Sequence, residues 1–182
     1  IVAEKQTDGK GRKNRYWDSL VGNFMGTYVL EIDLERKFLP HLAFVCALAI
    51  YDTIEKFISD VDGQILQLKW PNDIILNKLK CGGILIENIF SKADNYHILA
   101  IGIGVNLIKS PLRTTFPSSN IYDETNVKID PYNFLLDLNK NIVKKIDYWN
   151  YGLNYKAILE KWIEKAYLLN KEISVTLPNG KK

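Results

Sequence analysis

The sequence contains few of the residues that build covalent or metal-linked structures. Among its 182 residues are only two cysteines and two histidines. Cys46 and Cys81 provide no disulfide framework, and so few thiols fit a reducing compartment. His41 and His97 have no partner at metal-ligand spacing, so a structural role is predicted for each. Although Cys81 follows Lys80, no histidine base is placed to activate a thiol nucleophile, and a small buried residue is predicted there.

Charge of one sign and long apolar runs are scarce as well. The chain has 24 basic and 21 acidic residues, and a net charge of +3 is too small by itself to indicate a nucleic-acid or membrane partner. No apolar run approaches the roughly 18 residues that a membrane-spanning helix needs, and no signal peptide is visible. The chain opens without Met and stops at LPNGKK, so we expect both ends to be cut. Its length suits one substantial domain with a fragment of another.

The pattern of apolar residues predicts an α+β fold. Helices are predicted at 38–60, 131–150 and 154–169, where apolar residues recur every three or four positions. Runs of branched and aromatic residues between turn residues predict mainly antiparallel strands of one sheet. These strands are 23–34, 65–70, 73–77, 82–90 and 96–107, with 1–6 as the end of a buried strand and 172–177 as the start of another. Residues 108–130 are predicted to be a long irregular connection, either a mobile substrate loop or a linker. Strand–helix alternation is too sparse for a doubly wound fold, so helices on one face of the sheet are predicted.

A loop near the start, TDGKGRKNRYW (7–17), concentrates positive charge that the rest of the chain lacks. Gly9 and Gly11 allow a sharp turn and a close approach of the backbone to a ligand. The basic side chains can bind oxyanions, and Trp17 offers a face for stacking a base. These basic residues are Lys10, Arg12, Lys13 and Arg15. A solvated basic turn is the alternative, since the pattern is neither a Walker A loop nor GxGxxG.

A second stretch, KWPNDIILNKLKCGGILIE (69–87), places charged groups at strand ends, where binding residues tend to lie. Lys69 and Asp73 flank a turn between two strands. Lys80 opens the next strand, and Gly82-Gly83 beyond it leave space for a ligand. The alternative is an ordinary turn with surface lysines, but two lysines and an aspartate around a hairpin, followed by Gly-Gly, form a rarer combination.

A third stretch, IGIGVN (101–106), has glycines inside a predicted strand. Glycines weaken a strand and often mark the close approach of a ligand or of another backbone. Asn106 at the end of the strand could hold a phosphate or a metal-bound water.

These three stretches, in this order and spacing, resemble the catalytic domain of biotin protein ligases. The family's GRGRxGRxW is similar to residues 9–17, and its KWPND stands unchanged at 69–73. Its K-x-x-G-I-L-x-E matches residues 80–87, and its G-I-G-x-N matches residues 102–106. The resemblance runs over nearly the whole chain, including the Lys-Trp pair at 161–162.

The chain departs from the family pattern at three points. Lys10 replaces an arginine, which keeps the charge but loses the two-pronged guanidinium. Asn14 replaces a glycine, which is tolerable in a left-handed conformation because Asn visits that region more easily than most residues. The family's Ser/Thr-Asn segment, which contacts biotin from a preceding strand, is not in this chain.

The resemblance implies a fold and a division into domains. The fold is similar to that of class II aminoacyl-tRNA synthetases and biotin synthetases, with a mixed, mainly antiparallel sheet and helices on one face. Residues 1–170 would form the catalytic domain, with its first strand missing. Residues 171–182 would start a truncated C-terminal SH3-like β domain, the family's small β-barrel. The family implies a cytoplasmic enzyme.

The resemblance also implies a two-step reaction with ATP, Mg²⁺ and biotin. The biotin carboxylate attacks the α-phosphate of ATP and gives biotinyl-5′-AMP and pyrophosphate. The ε-amine of a lysine on a biotin carboxyl carrier protein, from acetyl-CoA carboxylase or a related carboxylase, then attacks the mixed anhydride. Two anions must be brought together in the first step, so fixed cations and Mg²⁺ are expected in the site. The basic loop is then expected to fold over a nucleotide phosphate and the adenylate, shielding the anhydride from water.

The same resemblance assigns expected roles to individual residues. Lys80 and Arg12 are expected to be catalytic, because they would stabilise charge on the carboxylate and the α-phosphate. The residues expected to bind biotin are Gln6, Gly9, Lys10, Gly11, Arg12, Lys80, Gly83 and Gly102. The residues expected to bind the nucleotide are Arg15, Trp17, Lys69, Asn72, Asp73 and Asn106. Mg²⁺ is expected near Asp73 and Asn106.

Other functions remain open at the level of sequence. A lipoate or octanoate protein ligase would share the fold, although its arginine pair, glycine run and aromatic-His-Asp are absent while KWPND is present. A nucleic-acid-binding module could use the basic-aromatic residues 9–17. An inactive relative could act as a binding protein. Binding of DNA is expected only if a further N-terminal domain precedes residue 1, and an exposed sheet edge could pair with a second subunit or with the carrier.

Overall fold

A five-stranded antiparallel sheet organises the chain. The computed structural model describes residues 1–112, 114 and 116–171. The strands are β1 (Phe24–Asp33), β2 (Leu66–Lys69), β3 (Asp73–Leu76), β4 (Leu79–Lys92) and β5 (Tyr96–Val105). They lie in the order β1-β5-β4-β3-β2, and every neighbouring pair is antiparallel. The five strands predicted between residues 23 and 107 and the α+β class are therefore confirmed.

Four α-helices accompany the sheet in the described part of the chain. They are α1 (His41–Ile58), α2 (Ile121–Thr125), α3 (Pro131–Trp149) and α4 (Tyr155–Glu164). Pro131 occupies the first turn of α3, and the Asp130 carboxylate caps that turn by accepting the N–H groups of Tyr132 and Asn133. Helix α1 packs against α3, α4 and strands β2, β3 and β4, so the helices cover one face of the sheet. The predicted layering is correct.

Helix α1 corrects the prediction that no apolar run is long enough to cross a membrane. By length and composition alone, residues 36–58 are long and apolar enough to cross a membrane. More than half of that stretch is buried inside the protein. Leu42, Val45 and Ile50 of this helix are completely buried in the core formed with the sheet. An apolar helix that packs on a sheet in this way is the core helix of a globular domain.

The last helix is shorter than predicted, since α4 ends at Glu164 rather than at residue 169. Beyond it the backbone pairs with the edge of the sheet. The Leu68 N–H donates to the Lys165 carbonyl, and the Tyr167 N–H donates to the Leu68 carbonyl, each at 2.8 Å. Because the backbone groups of residues 165 and 167 are hydrogen-bonded to β2, they do not need partners in a further helical turn. The strand predicted from residue 172 lies outside the described residues.

The N-terminal residues and the connection after β5 also differ from the predictions. The N-terminal residues pair with β1 as predicted, because the Thr27 N–H donates to the Ile1 carbonyl at 2.8 Å. Val2 is nevertheless 48% exposed, so the prediction of a buried strand was wrong. The connection 108–130 is not irregular throughout, because it contains α2. Several of its described residues, among them Leu112, Phe116 and Ser118, line the cavity of the site described below.

We expect the core under α1 to dominate the stability of the domain. Leu42 has no exposed surface, whereas Leu153 is 80% exposed. Leu42→Ala should lower the free energy of unfolding by about 2–5 kcal/mol, because it leaves a cavity. The matched change Leu153→Ala should cost less than about 0.5 kcal/mol. Urea denaturation of both variants measures the difference, and similar losses in the two would contradict the assignment of the core.

Candidate active site

The site starts from glycines on the sheet face opposite the helices. Along β5 the residues Ile101, Ile103 and Val105 face the core, so Gly102 and Gly104 face outward. On β4, Gly83 pairs with Gly104 and Leu85 pairs with Gly102. We call Gly83, Gly102 and Gly104 the glycine patch. A cavity of about 920 Å³ lies above this patch.

Trp17 lies directly on the glycine patch. A Cβ atom on Gly104 would lie 2.5 Å from Cε2 and Cζ2 of Trp17, and one on Gly83 would lie 3.3 Å from Cζ3. Side chains at these positions would therefore collide with the indole or crowd it. Lys80 Nζ lies 5.6 Å from the centre of the Trp17 ring, so the indole and this ammonium group share one end of the patch. The expected contact of Trp17 with adenine stays a prediction.

The basic loop folds as a short hairpin over the cavity. The Gly11 N–H donates to the Arg15 carbonyl at 2.7 Å, and the Trp17 N–H donates to the Gly9 carbonyl at 2.8 Å. We call residues 9–17 the basic hairpin. Lys13 and Asn14 at its tip have φ angles of 58° and 56°. Asn14 thus has the left-handed conformation that its replacement of a glycine requires.

Hydrogen bonds fix the arginines of the basic hairpin. Arg12 Nη1 donates to Asn72 Oδ1 at 3.4 Å, which ties the hairpin to the turn between β2 and β3. Arg15 Nε donates to the Arg12 carbonyl at 3.2 Å. Asn72 in turn donates through Nδ2 to the Ile84 carbonyl at 2.7 Å. The Lys10 side chain, by contrast, forms an exposed ion pair with Asp8 at 3.2 Å.

Lys80 is held by both its side chain and its backbone. Its Nζ lies 2.5 Å from Asp73 Oδ1, with about a fifth of each side chain exposed. Its N–H donates to the Pro117 carbonyl at 2.9 Å, and its carbonyl accepts the Ser119 N–H at 3.0 Å. The Lys80 side chain lines the cavity. The hydrogen bonds of its backbone to residues 117 and 119 fix the base of that side chain. A charged group so fixed acts on bound anions without reorganisation.

Lys69 and Gly9 lie beside the cavity rather than in its described lining. Lys69 Nζ lies 3.4 Å from the centre of the Phe116 ring, and Phe116 itself lines the cavity. Burial lowers the pKa of Lys69, and the carboxylate of Asp73 opposes the shift in part. Gly9 begins the basic hairpin, and a Cβ there would come within 2.9 Å of Gln6 Oε1. The twelve other residues with predicted binding roles all line the cavity; they are Gln6, Lys10, Gly11, Arg12, Arg15, Trp17, Asn72, Asp73, Lys80, Gly83, Gly102 and Asn106.

Two of these polar residues already form hydrogen bonds with other groups of the protein. Gln6 Oε1 accepts from Ser19 Oγ at 2.9 Å. Asn106 is 3% exposed, and its Nδ2 donates to the Ser119 carbonyl at 3.0 Å. Cys81 has the small buried role predicted for it, since it has no exposed surface and burial raises the pKa of its thiol to about 12. A thiol with so high a pKa is not a nucleophile at neutral pH.

Sequence reasoning offered the connection after β5 as a substrate loop or a linker, but it named no residue of the wall that this connection forms. We call residues 110–112, 114 and 116–118 the covering segment, and Leu112, Phe116 and Ser118 are among its cavity-lining residues. It carries no motif, and its proline content only indicated an irregular connection. The outward positions of β1, β4 and β5 were also missed, although strand alternation from the glycines could have found them. They are Met25, Thr27, Leu85, Glu87 and Ala100.

The charges around the cavity are mixed. They are Lys10, Arg12, Arg15, Lys80, Asp8, Asp18, Asp73 and Glu87. Equal numbers of the two signs do not favour a nucleic-acid-binding surface, where basic groups dominate. Among the described residues, no group of three or more His, Cys, Asp or Glu side chains could hold a metal ion. The expected Mg²⁺ near Asp73 and Asn106 stays a prediction; a single carboxylate would suffice for it, because Mg²⁺ usually binds a nucleotide through one or two carboxylates and the phosphates.

Comparisons with known proteins agree with this geometry. A model of the biotin/lipoate A/B protein ligase family matches residues 1–106, which is more than half of the chain. The chain belongs to this family. A biotin–[acetyl-CoA-carboxylase] ligase of Paracoccus denitrificans is 33% identical over 181 residues, covering 95% of this chain and 72% of that ligase. The bifunctional ligase/repressor BirA of Bacillus subtilis is 37% identical over 112 residues, covering 61% of this chain and 33% of BirA.

Solved structures of the ligase family have the same fold. The biotin protein ligase of Aquifex aeolicus in complex with biotin and ATP superposes with a TM-score of 0.75 at 26% identity, covering 92% of this chain and 68% of that one. The Leishmania major ligase in complex with biotinyl-5-AMP gives a TM-score of 0.78 at 26% identity, covering 100% of this chain and 75% of that one. The fold expected from the resemblance is confirmed.

We expect Gly104, which lies under the Trp17 ring, to be required for the placement of the basic hairpin. Gly104→Ala puts a methyl group 2.5 Å from the Trp17 ring, so the ring and the hairpin must move. Gly102→Ala is the matched control, because its nearest described neighbour would be the Leu85 carbonyl at 3.6 Å. Overpacking costs about 1–3 kcal/mol, so exchange of the Gly11 amide hydrogen should be about tenfold faster or more in Gly104→Ala alone. Equal exchange in the two variants would contradict this packing.

Proposed function

We propose that this chain is the catalytic domain of an ATP-dependent biotin protein ligase. The observation that carries the proposal is the position of Lys80, fixed beside the glycine patch and below the two arginines of the basic hairpin. A site that joins a carboxylate to a phosphate needs such fixed cations, because the two reactants repel each other. Family membership supports a ligase for biotin or lipoate, and the relative named as a biotin ligase favours biotin as the acid.

In the first step, a biotin carboxylate oxygen attacks the α-phosphorus of ATP. The bond from that phosphorus to the bridging oxygen breaks, and pyrophosphate leaves with the negative charge. Lys80 would bind the carboxylate and the forming acyl phosphate, with Arg12 on the α-phosphate and Arg15 on the departing phosphates. Gln6 and Gly102 would contact the rest of biotin. Biotinyl-5′-AMP remains beneath the basic hairpin, where water is excluded.

The nucleotide would lie at the end of the cavity lined by Asp73 and Asn106. Mg²⁺ bound to ATP supplies neutralisation of phosphate charge, and Asp73 is the carboxylate that would hold it. Asp73 would have a second task, because it already lies 2.5 Å from Lys80 Nζ. Before substrates bind, the Asp73 carboxylate would keep the Lys80 ammonium group in place. After they bind, the ammonium group could pair with the substrate anion instead.

In the second step, the neutral ε-amine of a carrier lysine attacks the biotinyl carbonyl. The carbon–oxygen bond to AMP breaks, the attacking nitrogen releases a proton to the solvent, and AMP leaves as the second product. The partner in our proposal is a biotin carboxyl carrier protein, which agrees with the Paracoccus denitrificans relative named as a ligase for acetyl-CoA-carboxylase. The two free, buried cysteines fit the cytoplasm as the place of reaction.

A lipoate ligase is the alternative within the same family. The relatives and solved structures compared above carry names or ligands of biotin ligases, and none of these names mentions lipoate. The intact KWPND and the Lys80 that follows it agree with the biotin branch. Lipoate therefore serves as the competing acid in the test of the proposal.

We expect biotin-dependent release of pyrophosphate from Mg·ATP, and we expect it to depend on Lys80. In the full-length protein, Lys80→Ala should lower the rate about 10²–10³-fold, as the loss of one fixed electrostatic group does in other enzymes. Lys156→Ala is the matched control, because that lysine is 91% exposed on α4. It should keep the wild-type rate.

The two acids separate the alternatives in the same assay. Release with lipoate but not with biotin would keep the fold and replace the substrate. Release with neither acid, from a folded protein, would reject ligase activity. Equal rates for Lys80→Ala and Lys156→Ala would show that Lys80 has no role in the reaction. The assignment of the substrate would not change.

A further inference from the structure

Asn23, the residue before β1, is clamped onto one short piece of backbone. It is 5% exposed, and its Oδ1 accepts the N–H groups of Leu107, Ile108 and Lys109, each at 3.1 Å. Its Nδ2 donates to the Lys109 carbonyl at 2.9 Å. Three successive N–H groups aimed at one oxygen form a concave donor site that favours negative charge. The side chain therefore uses both of its polar groups on this backbone.

The clamped backbone is the root of the covering segment, which begins at residue 110. Its other end is tied to the strand that carries Lys80, through the Pro117 carbonyl and the Ser119 N–H. Between these two anchors the covering segment places Phe116 against Lys69. The segment therefore spans the end of the cavity at which we place the nucleotide, and Asn23 holds one of its two anchors.

Asn23 also closes the turn that leads out of the basic hairpin. Its own N–H donates to the Leu20 carbonyl at 3.1 Å. Gly22 in this turn has a φ of 96° and packs against Ile108, where a Cβ would lie 2.8 Å from Ile108 Cγ1. Substitution of Gly22 would thus be strained by its backbone and by this contact. The turn that follows the basic hairpin therefore contacts the backbone from which the covering segment begins.

We propose that Asn23 is a positioning residue that holds the covering segment over the Lys80 end of the cavity and so sets the affinity for Mg·ATP. This inference rests on the proposed ligase function for the identity of the nucleotide. Asn23 does not line the cavity, so its effect reaches the ligand through residues 107–109 and the covering segment. An unpinned covering segment would have to be ordered when the nucleotide binds, and that ordering weakens binding.

The experiment compares Asn23→Leu with Asn23→Asp in the full-length protein. Leucine has a similar volume and removes all four hydrogen bonds. Aspartate keeps the oxygen that accepts three N–H groups and loses only the donor to Lys109. Hydrogen exchange of residues 107–118 is measured without ligand, and the Kd values of Mg·ATP and of biotin are measured by calorimetry.

We expect Asn23→Leu to speed exchange across residues 107–118 and to weaken Mg·ATP binding about tenfold or more, with the Kd of biotin changed less than about twofold. Asn23→Asp should restore most of both properties. If Asn23→Leu does not fold, Asn23→Ala takes its place, because the smaller side chain leaves room for a water molecule.

Unchanged exchange in residues 107–118 would overturn the proposal. So would equal loss of affinity for Mg·ATP and biotin in step with a lower melting temperature, since that result describes a general structural role. Failure of the ligase function has a separate signature, which is wild-type protein that releases no pyrophosphate with biotin. The exchange arm and the Mg·ATP arm still decide the role of Asn23 in that case, because neither requires turnover.

Discussion

The absence of side chains on the glycine patch is the constraint on which the site depends. Gly83 and Gly104 face each other across β4 and β5, and the Trp17 ring would collide with a Cβ on Gly104 and crowd one on Gly83. Because the indole lies this low, the basic hairpin that carries it lies close over the sheet. The arginines of the hairpin and Lys80 of β4 consequently reach the same cavity. Packing between a tryptophan and bare backbone thus sets the distance between the cations and the strands.

The second requirement is a lysine that stays in place when no anion is bound. A free lysine side chain would have to be ordered on binding, and this ordering costs about 1.5–2 kcal/mol of rotamer entropy. Asp73 lies 2.5 Å from Lys80 Nζ and removes most of that freedom beforehand. The covering segment pairs with the backbone of Lys80 and fixes the base of the side chain as well. A preorganised cation of this kind suits a reaction in which two anions must meet.

Local chemistry in the sequence predicted most of the strands and the residues around the cavity. The glycines in IGIGVN predicted the close approach of a ligand or of another backbone to this strand, and the order of Lys69, Asp73 and Lys80 predicted charges at neighbouring strand ends. The clamp by Asn23 could not be predicted in this way, because its partners lie 84 to 86 residues away and are backbone groups without any side-chain signal. The end of α4 was missed for a similar reason. Residues 165–167 are helical by local preference, but pairing with Leu68 at the sheet edge decides their conformation.

The most direct test of this account is calorimetric titration with a non-hydrolysable analogue of biotinyl-5′-AMP, followed by hydrogen exchange of the complex. The account predicts binding of one analogue per chain, with slower exchange in the basic hairpin and in the covering segment together. Both elements wall the same cavity, so a ligand above the glycine patch must touch both. Absence of binding to the folded protein, or protection of residues away from these two elements, would contradict it.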